Sequence, residues 1–301
     1  MAGSSMTIPE SQLDTWSHQG SVTQSKSTYA TIKLALEDSS TDYANQAYAI
    51  FLQGSYGNDT NIYSESDVDV VIRLDSIFYY DIDSLSADEQ ALFHKNLSAG
   101  SYSYNAFKSG VVRALEKRFG KSSVDAGNKA IKIKADGNRR TADVLVCADF
   151  RRYRSYSAQG VDYEEGICFW NNAGKRISNY PRQHSANCTT KHQNTVGYFK
   201  PMVRILKNMR SKLVDDGVLA VGVAPSYYIE GLLYNVPTNK FGGNYGTSFV
   251  AAINWMREAD RTKFVCANEQ YYLLQNDAET CWPIANGDAF RNAVTRLWNQ
   301  W

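Results

Sequence analysis

Phe51-Leu52-Gln53-Gly54-Ser55, followed by Ser66-Asp67-Val68-Asp69-Val70-Val71-Ile72, decides how this 301-residue chain is read. Tyr48 to Leu52 is a short apolar run that ends in a Gly-Ser turn. Ile62 and Tyr63 lead into a second apolar run that carries two carboxylates two positions apart. A strand has a side-chain period of two, so Asp67 and Asp69 project from one face. Like charges side by side repel, and a strand avoids them unless a cation sits between. Hard oxygen ligands at this spacing suit Mg²⁺, which takes one or two carboxylates and completes its shell with water and substrate phosphate. The Gly-Ser turn offers backbone N–H groups and a hydroxyl to a phosphate, with no side chain in the way at Gly54. An Asp-x-Asp pair by itself is often a solvated strand edge, and a Gly-Ser pair by itself means little. Their order, with an apolar run before each, makes the combination specific.

The same logic extends downstream. Lys129 to Lys134 alternates, with Ile131 and Ile133 on one face, Asp136-Gly137-Asn138 is turn chemistry, and Thr141 to Cys147 is the returning strand. Asp143 is a carboxylate inside a very apolar strand, and burying it unpaired costs several kcal/mol. It either pairs with Arg139 or Arg140 at the strand end or joins Asp67 and Asp69 as a third metal ligand. Helices are expected over 7–20 (with Ser11 as N-cap), 27–37, 86–97, 102–119, 195–214, from Ser226, over 247–259 and over 289–301. In the 195–214 helix Val196, Phe199, Val203, Leu206 and Leu213 form the apolar stripe, and Pro201 is placed to kink it. Lys200, Arg204 and Lys207 line a neighbouring face, either as a solvated basic stripe or as cations for phosphate. Ser226 opens a helix whose N-terminus can hold a phosphate, and Tyr227 can stack on a base; the plain reading is an N-cap and a packed ring. Residues 150–192 read as loop-rich, with Arg151, Arg152 and Arg154 clustered.

Gly54-Ser55 followed by Asp67-x-Asp69 resembles the signature of the polymerase-β-type nucleotidyltransferases, and the bacterial cGAS/DncV-like branch is the best likeness. The resemblance spans nearly the whole chain and is strongest at 48–72, 139–148 and 195–235. It implies an α/β (α+β) bilobal fold: a catalytic lobe over 7–150 with a mixed twisted sheet, an N-terminal helix bracing both lobes, and a largely helical lobe over 151–301, with the cleft between. It implies that Asp67, Asp69 and Asp143 hold two Mg²⁺ (or Mn²⁺) ions. Asp69 and Asp143 take the hydroxyl-side ion, and Asp67 with Asp69 the triphosphate-side ion. Gln53, Gly54 and Ser55 then position the β- and γ-phosphates, Lys207 and Ser226 close over them, and Tyr227 stacks on a base. The implied reaction joins ATP, GTP or a pyrimidine triphosphate into a cyclic di- or trinucleotide second messenger. The family's setting is CBASS-type anti-phage signalling, in which a separate effector reads the product. Alternatives are a linear oligonucleotide synthase or RNA-directed enzyme of the same superfamily, a nucleotide-binding scaffold without catalysis, and an antitoxin-type or antibiotic-modifying nucleotidyltransferase. His184, Cys188 and His192 recur every four residues, as zinc ligands on a helix do. A fourth ligand is not evident, and a Pro-x-x-His run, here Pro181 to His184, is ordinary in the bacterial branch.

The totals agree. A net charge of +1 gives no global field for a long nucleic acid. Five cysteines are odd in number and fit a reducing cytoplasm. No apolar run is long enough for a membrane span or a signal peptide. Met1 to Ser5 reads as an added leader before a native start at Met6. A cytoplasmic monomer is expected.

Overall fold

The computed structural model describes residues 7–20, 22–64, 67–276 and 278–301, so the leader and native start expected at residues 1–6 lie outside it. In chain order the elements are α1 (Glu10–Ser17), α2 (Thr23–Leu36), β1 (Tyr48–Leu52), α3 (Gly54–Gly57), β2 (Val68–Asp81), α4 (Ala87–Asn96) and α5 (Tyr104–Phe119). Then come β3 (Val124–Ala126), β4 (Ile131–Ile133), β5 (Ala142–Ser157), β6 (Gly160–Trp170) and β7 (Arg176–Asn179). Helices complete the chain: α6 (Pro181–Asn194), α7 (Phe199–Asp215), α8 (Ser226–Asn235), α9 (Tyr245–Glu258) and α10 (Ile284–Asn299).

Two compact units form: Thr23–Gln53 with Asp67–Pro181, and the residues up to Val22 with Gly54–Ser66 and Arg182–Trp301. This differs from a division at residue 150. The sheet unit runs to Pro181, and the helical unit takes both the N-terminal helix and the segment after the Gly-Ser turn. Helix α1, expected to brace both lobes, packs on α7 and α9 within the helical unit. Its cap also differs: Pro9, not Ser11, precedes the first turn.

The sheet has the order β1-β2-β5-β4-β3, with β6 beside β5 and β7 beside β6. Strands β2 and β5 are parallel; the other pairs are antiparallel. Val70, Val71 and Ile72 are all buried, so β2 is covered on both faces, which is why it reads as a continuous apolar run. Helices α2 and α5 pack on the sheet through Ile32, Leu36, Phe107, Val111 and Leu115. Helix α5 stops at Gly120, whose φ of +81° is left-handed. Ser86 and Glu89 close α4 with a capping box.

The stretch 150–192 is not loop-rich. It contains the second half of β5, all of β6 and β7, and most of α6. Charges mask the strands, but they are paired across the ladder: Arg151 faces Glu165 and Arg152 faces Glu164. Arg154 approaches Glu164 at 2.6 Å, and Arg152 approaches Asp81 at 3.5 Å. Such pairs offset the poor strand character of each residue alone.

In the helical unit α7 is the central element, with Phe199, Met202, Val203, Ile205, Leu206, Met209 and Leu213 buried. It begins later than the periodicity predicts. Val196 (φ +49°) and Gly197 (φ +88°) break the chain between α6 and α7, and Val196 is 87% exposed rather than on the stripe. Pro201 falls in the first turn of α7, where its missing N–H has no partner to lose, so no kink is needed. Ile229, Leu232, Leu233 and Val236 supply the buried side of α8, and Phe290 and Val294 that of α10. No helix among the described residues is long and apolar enough to cross a membrane. All five cysteines are buried and free.

Candidate functional site

The sheet unit gathers the three predicted carboxylates. Asp69 on β2 and Asp143 on β5 are register partners on adjacent parallel strands, so both point from one face. Asp67 precedes β2 by one residue and is exposed. The Val68 N–H donates to the Thr141 carbonyl at 3.0 Å, which ties the start of β2 to that of β5. Buried Val68, Val70, Ala142 and Val144 form the apolar floor. The Asp143 carboxyl sits above its ordinary range. Burial raises it most, the Asp67 charge adds to the rise, and Lys132 opposes it. Lys132 on β4 is the direct cross-strand partner of Asp143. The neighbouring arginines have other contacts. Arg139 donates to the Lys134 carbonyl and lies 4.4 Å from the Phe119 ring, and Arg140 donates to Gln24 at 3.1 Å. Burial first, and then the Asp67 charge, disfavour the ionised Asp143 carboxyl, and an all-oxygen donor set of this kind would fit a divalent cation such as Mg²⁺.

Gln53 closes the β1 side. Its backbone N–H donates to the Asp69 carbonyl at 3.1 Å, and its buried side-chain Oε1 has no hydrogen-bond partner among the described residues. The next residue is Gly54, with φ of +65°, a conformation that favours glycine.

In the helical unit, Gly54 to Gly57 forms the single turn α3, and Ser55 is 9% exposed. The Thr60 N–H donates to the Ser55 carbonyl at 2.9 Å and the Asn58 N–H to the Gly54 carbonyl at 3.1 Å. The rest of the segment is polar yet buried at Asn58, Thr60 and Asn61. The basic stripe of α7 clamps it. Lys207 Nζ donates to the Thr60 carbonyl at 2.8 Å, Lys200 Nζ meets the Asp59 carboxylate at 3.0 Å, and Arg204 donates to the Asp59 carbonyl at 2.6 Å. The stripe is therefore neither a solvated face nor a row of free cations. Lys207, expected at the triphosphate, is 0% exposed.

Gly20 locks the far end of this segment. It donates to the Asn61 carbonyl, and Asn61 Nδ2 donates back, each at 3.1 Å. A Cβ at Gly20 would lie 2.6 Å from the Ile62 carbonyl carbon and oxygen. Gly20→Ala is expected to cost about 1–3 kcal/mol through this backbone clash, read as a lower midpoint in urea.

Ser226 lies in the first turn of α8, where an Arg210 guanidinium N–H reaches its hydroxyl at 3.5 Å and the Ala224 carbonyl at 2.9 Å. Tyr227 is next. Its ring stacks on His184 at 4.6 Å and 22°, and its hydroxyl accepts from Asn268 Nδ2 at 2.9 Å. Burial pushes the Tyr227 phenol well above its usual range, so it stays neutral.

The repeat of His184, Cys188 and His192 resolves differently from a three-residue metal face. His184 and Cys188 cluster with Glu230, while the His192 ring accepts from the Lys200 backbone N–H at 3.3 Å. Glu230 accepts from His184 Nε2 at 2.5 Å, Asn58 Nδ2 at 3.0 Å and the Thr60 hydroxyl. Sequence reasoning missed this carboxylate. Its one local signal is an acid lying directly between Ile229 and Gly231-Leu232-Leu233, on a helix that buries its apolar side.

Known proteins share this architecture. Residues 186–299 match the model of the cGAS/DncV-like nucleotidyltransferase C-terminal helical domain. The chain is 38% identical over 297 residues to the cyclic UMP-AMP synthase of Rhodothermus marinus (strain SG0.5JP17-172), covering 98% of this chain and 99% of the relative. It superposes on the solved Rhodothermus marinus CdnE c-UMP-AMP synthase with Apcpp and Upnpp at a TM-score of 0.87, covering 98% of this chain and 97% of that one. The Elizabethkingia meningoseptica CdnE cyclic dinucleotide synthase with GTP and Apcpp gives a TM-score of 0.76 at 33% identity, covering 97% and 98%.

Proposed function

This chain belongs to the cGAS/DncV-like nucleotidyltransferases, and from that premise we propose that it joins nucleoside triphosphates into a cyclic di- or trinucleotide with release of pyrophosphate. The observation that carries this reading is the register of Asp69 against Asp143 on parallel strands, with Asp67 beside them. In each step a ribose hydroxyl oxygen attacks the α-phosphorus of a triphosphate. The α–β phosphoanhydride bond breaks, pyrophosphate leaves, and the hydroxyl proton is lost to solvent. Repeating the step on the linear intermediate closes the ring.

Asp67, Asp69 and Asp143 would hold two Mg²⁺ ions, with Mn²⁺ suiting the same oxygens. Bound there, the ions supply Lewis acidity to the hydroxyl and the phosphates. The chain's own groups bind and orient. Gly54 and Ser55 offer backbone N–H groups and a hydroxyl to the β- and γ-phosphates, and the Gln53 amide adds a side-chain donor. Ser226 closes on the phosphates at the start of α8. Tyr227 presents an aromatic face to a base, where stacking is worth about 1–3 kcal/mol. Lys207 acts one step back: it holds the Thr60 carbonyl and so the shape of the turn.

The protein acts as a cytoplasmic monomer in CBASS-type antiviral signalling, and a separate effector protein reads its product. A net charge of +1 supports nucleotides rather than long nucleic acid as substrates.

Incubation with the four labelled nucleoside triphosphates and Mg²⁺ or Mn²⁺, and then with phosphatase, tests the reaction. A short phosphatase-resistant product is expected. With the label on the α-phosphate, a ring keeps every labelled phosphate; a product that loses its 5′-terminal phosphates to phosphatase and keeps only internal phosphodiesters means a linear synthase, and binding without pyrophosphate release means a scaffold.

A further inference from the structure

We propose that Glu230 is the positioning residue that sets the phosphate-binding turn and the base platform relative to one another. The inference rests on the reading of Gly54-Ser55 and Tyr227 as nucleotide-binding. Glu230 is 2% exposed and lies on α8 beside buried Ile229, Leu232 and Leu233. Burying a carboxylate there is costly unless its oxygens are satisfied, and replacing such buried groups by apolar ones is often neutral or stabilising. A charge kept in such a place points to a geometric task.

The hydrogen bonds identify the task. One oxygen accepts from the Thr60 hydroxyl, and the other from Asn58 Nδ2 at 3.0 Å and His184 Nε2 at 2.5 Å. Asn58 and Thr60 are the residues whose N–H groups donate to Gly54 and Ser55. Two side-chain bonds thus run from Glu230 to the segment that shapes the Gly-Ser turn. The third runs to His184, whose ring stacks on Tyr227 at 4.6 Å. Because Nε2 faces a carboxylate, it carries the proton, and this bond fixes the ring plane on which Tyr227 rests. The His184 Nδ1 is buried and has no hydrogen-bond partner among the described residues, so no second bond from them competes for that orientation. The phosphate end and the base end of one nucleotide therefore share one anchor. Lys207, one bond away on the Thr60 carbonyl, balances the charge.

Three substitutions in the full chain test this. Glu230→Gln removes the charge and replaces one acceptor oxygen by a donor, so the Thr60 hydroxyl must turn round to accept. Glu230→Asp keeps the charge opposite Lys207 but withdraws the oxygens by one methylene. Thr60→Val removes a single hydroxyl at nearly constant volume. Glu230→Gln and Glu230→Asp are expected to raise the KM for nucleoside triphosphate at least tenfold, with kcat at saturation within about threefold; Thr60→Val should raise KM roughly threefold. A merely structural role lowers the folded fraction, and hence kcat, at unchanged KM. An unchanged KM in Glu230→Asp and Thr60→Val, with the wild type active, overturns the proposal. A wild type that consumes no nucleotide overturns the nucleotide-binding reading instead.

Discussion

Asp67→Asn combined with Asp69→Asn is expected to cut nucleoside triphosphate consumption by more than a hundredfold while leaving the thermal midpoint at or above the wild-type value. Loss of an outer-shell partner costs a metal site about 10–100-fold, so loss of two oxygen ligands exceeds that range. Stability moves the other way because the site is strained. Asp143 is held above the ordinary carboxylate value of 3.8 by burial and then by the Asp67 charge, with Lys132 in opposition. A carboxyl whose folded pKa is raised destabilises the fold when ionised, and the metal-free protein gains stability as pH falls through that raised value. Removing the Asp67 charge relieves the same repulsion at neutral pH. The difference in midpoint between variant and wild type should therefore shrink as pH drops into the acid range, where Asp143 is protonated in both. Calorimetry in the presence of a chelator reads this, beside a pyrophosphate-release assay with Mg²⁺. Residual turnover above a few per cent removes these residues from the chemistry, and a lowered midpoint at neutral pH removes the strain argument.

Lys207→Ala should be felt first as lost stability and only second as weakened substrate binding. The ammonium is 0% exposed and donates to the Thr60 carbonyl. It also helps to keep buried Glu230 ionised: burial raises the Glu230 carboxyl, but the His184 hydrogen bond, the Lys207 charge and the Thr60 hydroxyl outweigh it and hold it below its ordinary value. Breaking a buried charge pair from one side costs about 3–5 kcal/mol, which at about 2–4 °C per kcal/mol lowers the midpoint by roughly 6–20 °C. The sign of the pH dependence is opposite to that of Asp143. Glu230 has a depressed folded pKa, so its stabilisation is present above the ordinary glutamate range and is lost as pH falls through the folded value. Thermal unfolding with a parallel KM measurement checks the order of effects. A midpoint within 2 °C of wild type together with a raised KM would mean that the ammonium reaches the triphosphate directly.

The fate of Lys207 shows where one-dimensional reading stops. Lys200, Arg204 and Lys207 are correctly placed on one side of α7 by their spacing. Spacing does not say that the segment Asp59-Thr60 lies against that side and takes a contact from each of the three cations. Likewise, Arg151, Arg152 and Arg154 read as loop residues because their own segment shows little strand character. Their partners Glu164 and Glu165 lie on the next strand.

Local periodicity and chemical type are all that the sequence determined by itself. The period of two put Asp67 and Asp69 on one face, and a charged residue inside Thr141–Cys147 marked Asp143 as anomalous. Glycine at a turn named position 54, and the apolar stripe named Phe199, Val203, Leu206 and Leu213 on the buried face of α7. The tertiary structure alone decided which distant groups share an environment: that Asp69 and Asp143 are register partners, that Lys132 stands across from Asp143, and that Glu230 gathers Asn58, Thr60 and His184. The reason is physical. Propensity and periodicity act over a few bonds and leave a trace in any window of sequence. Electrostatic and hydrogen-bond partners are chosen by chain closure over long separations, 172 residues between Asn58 and Glu230, and no local pattern carries them.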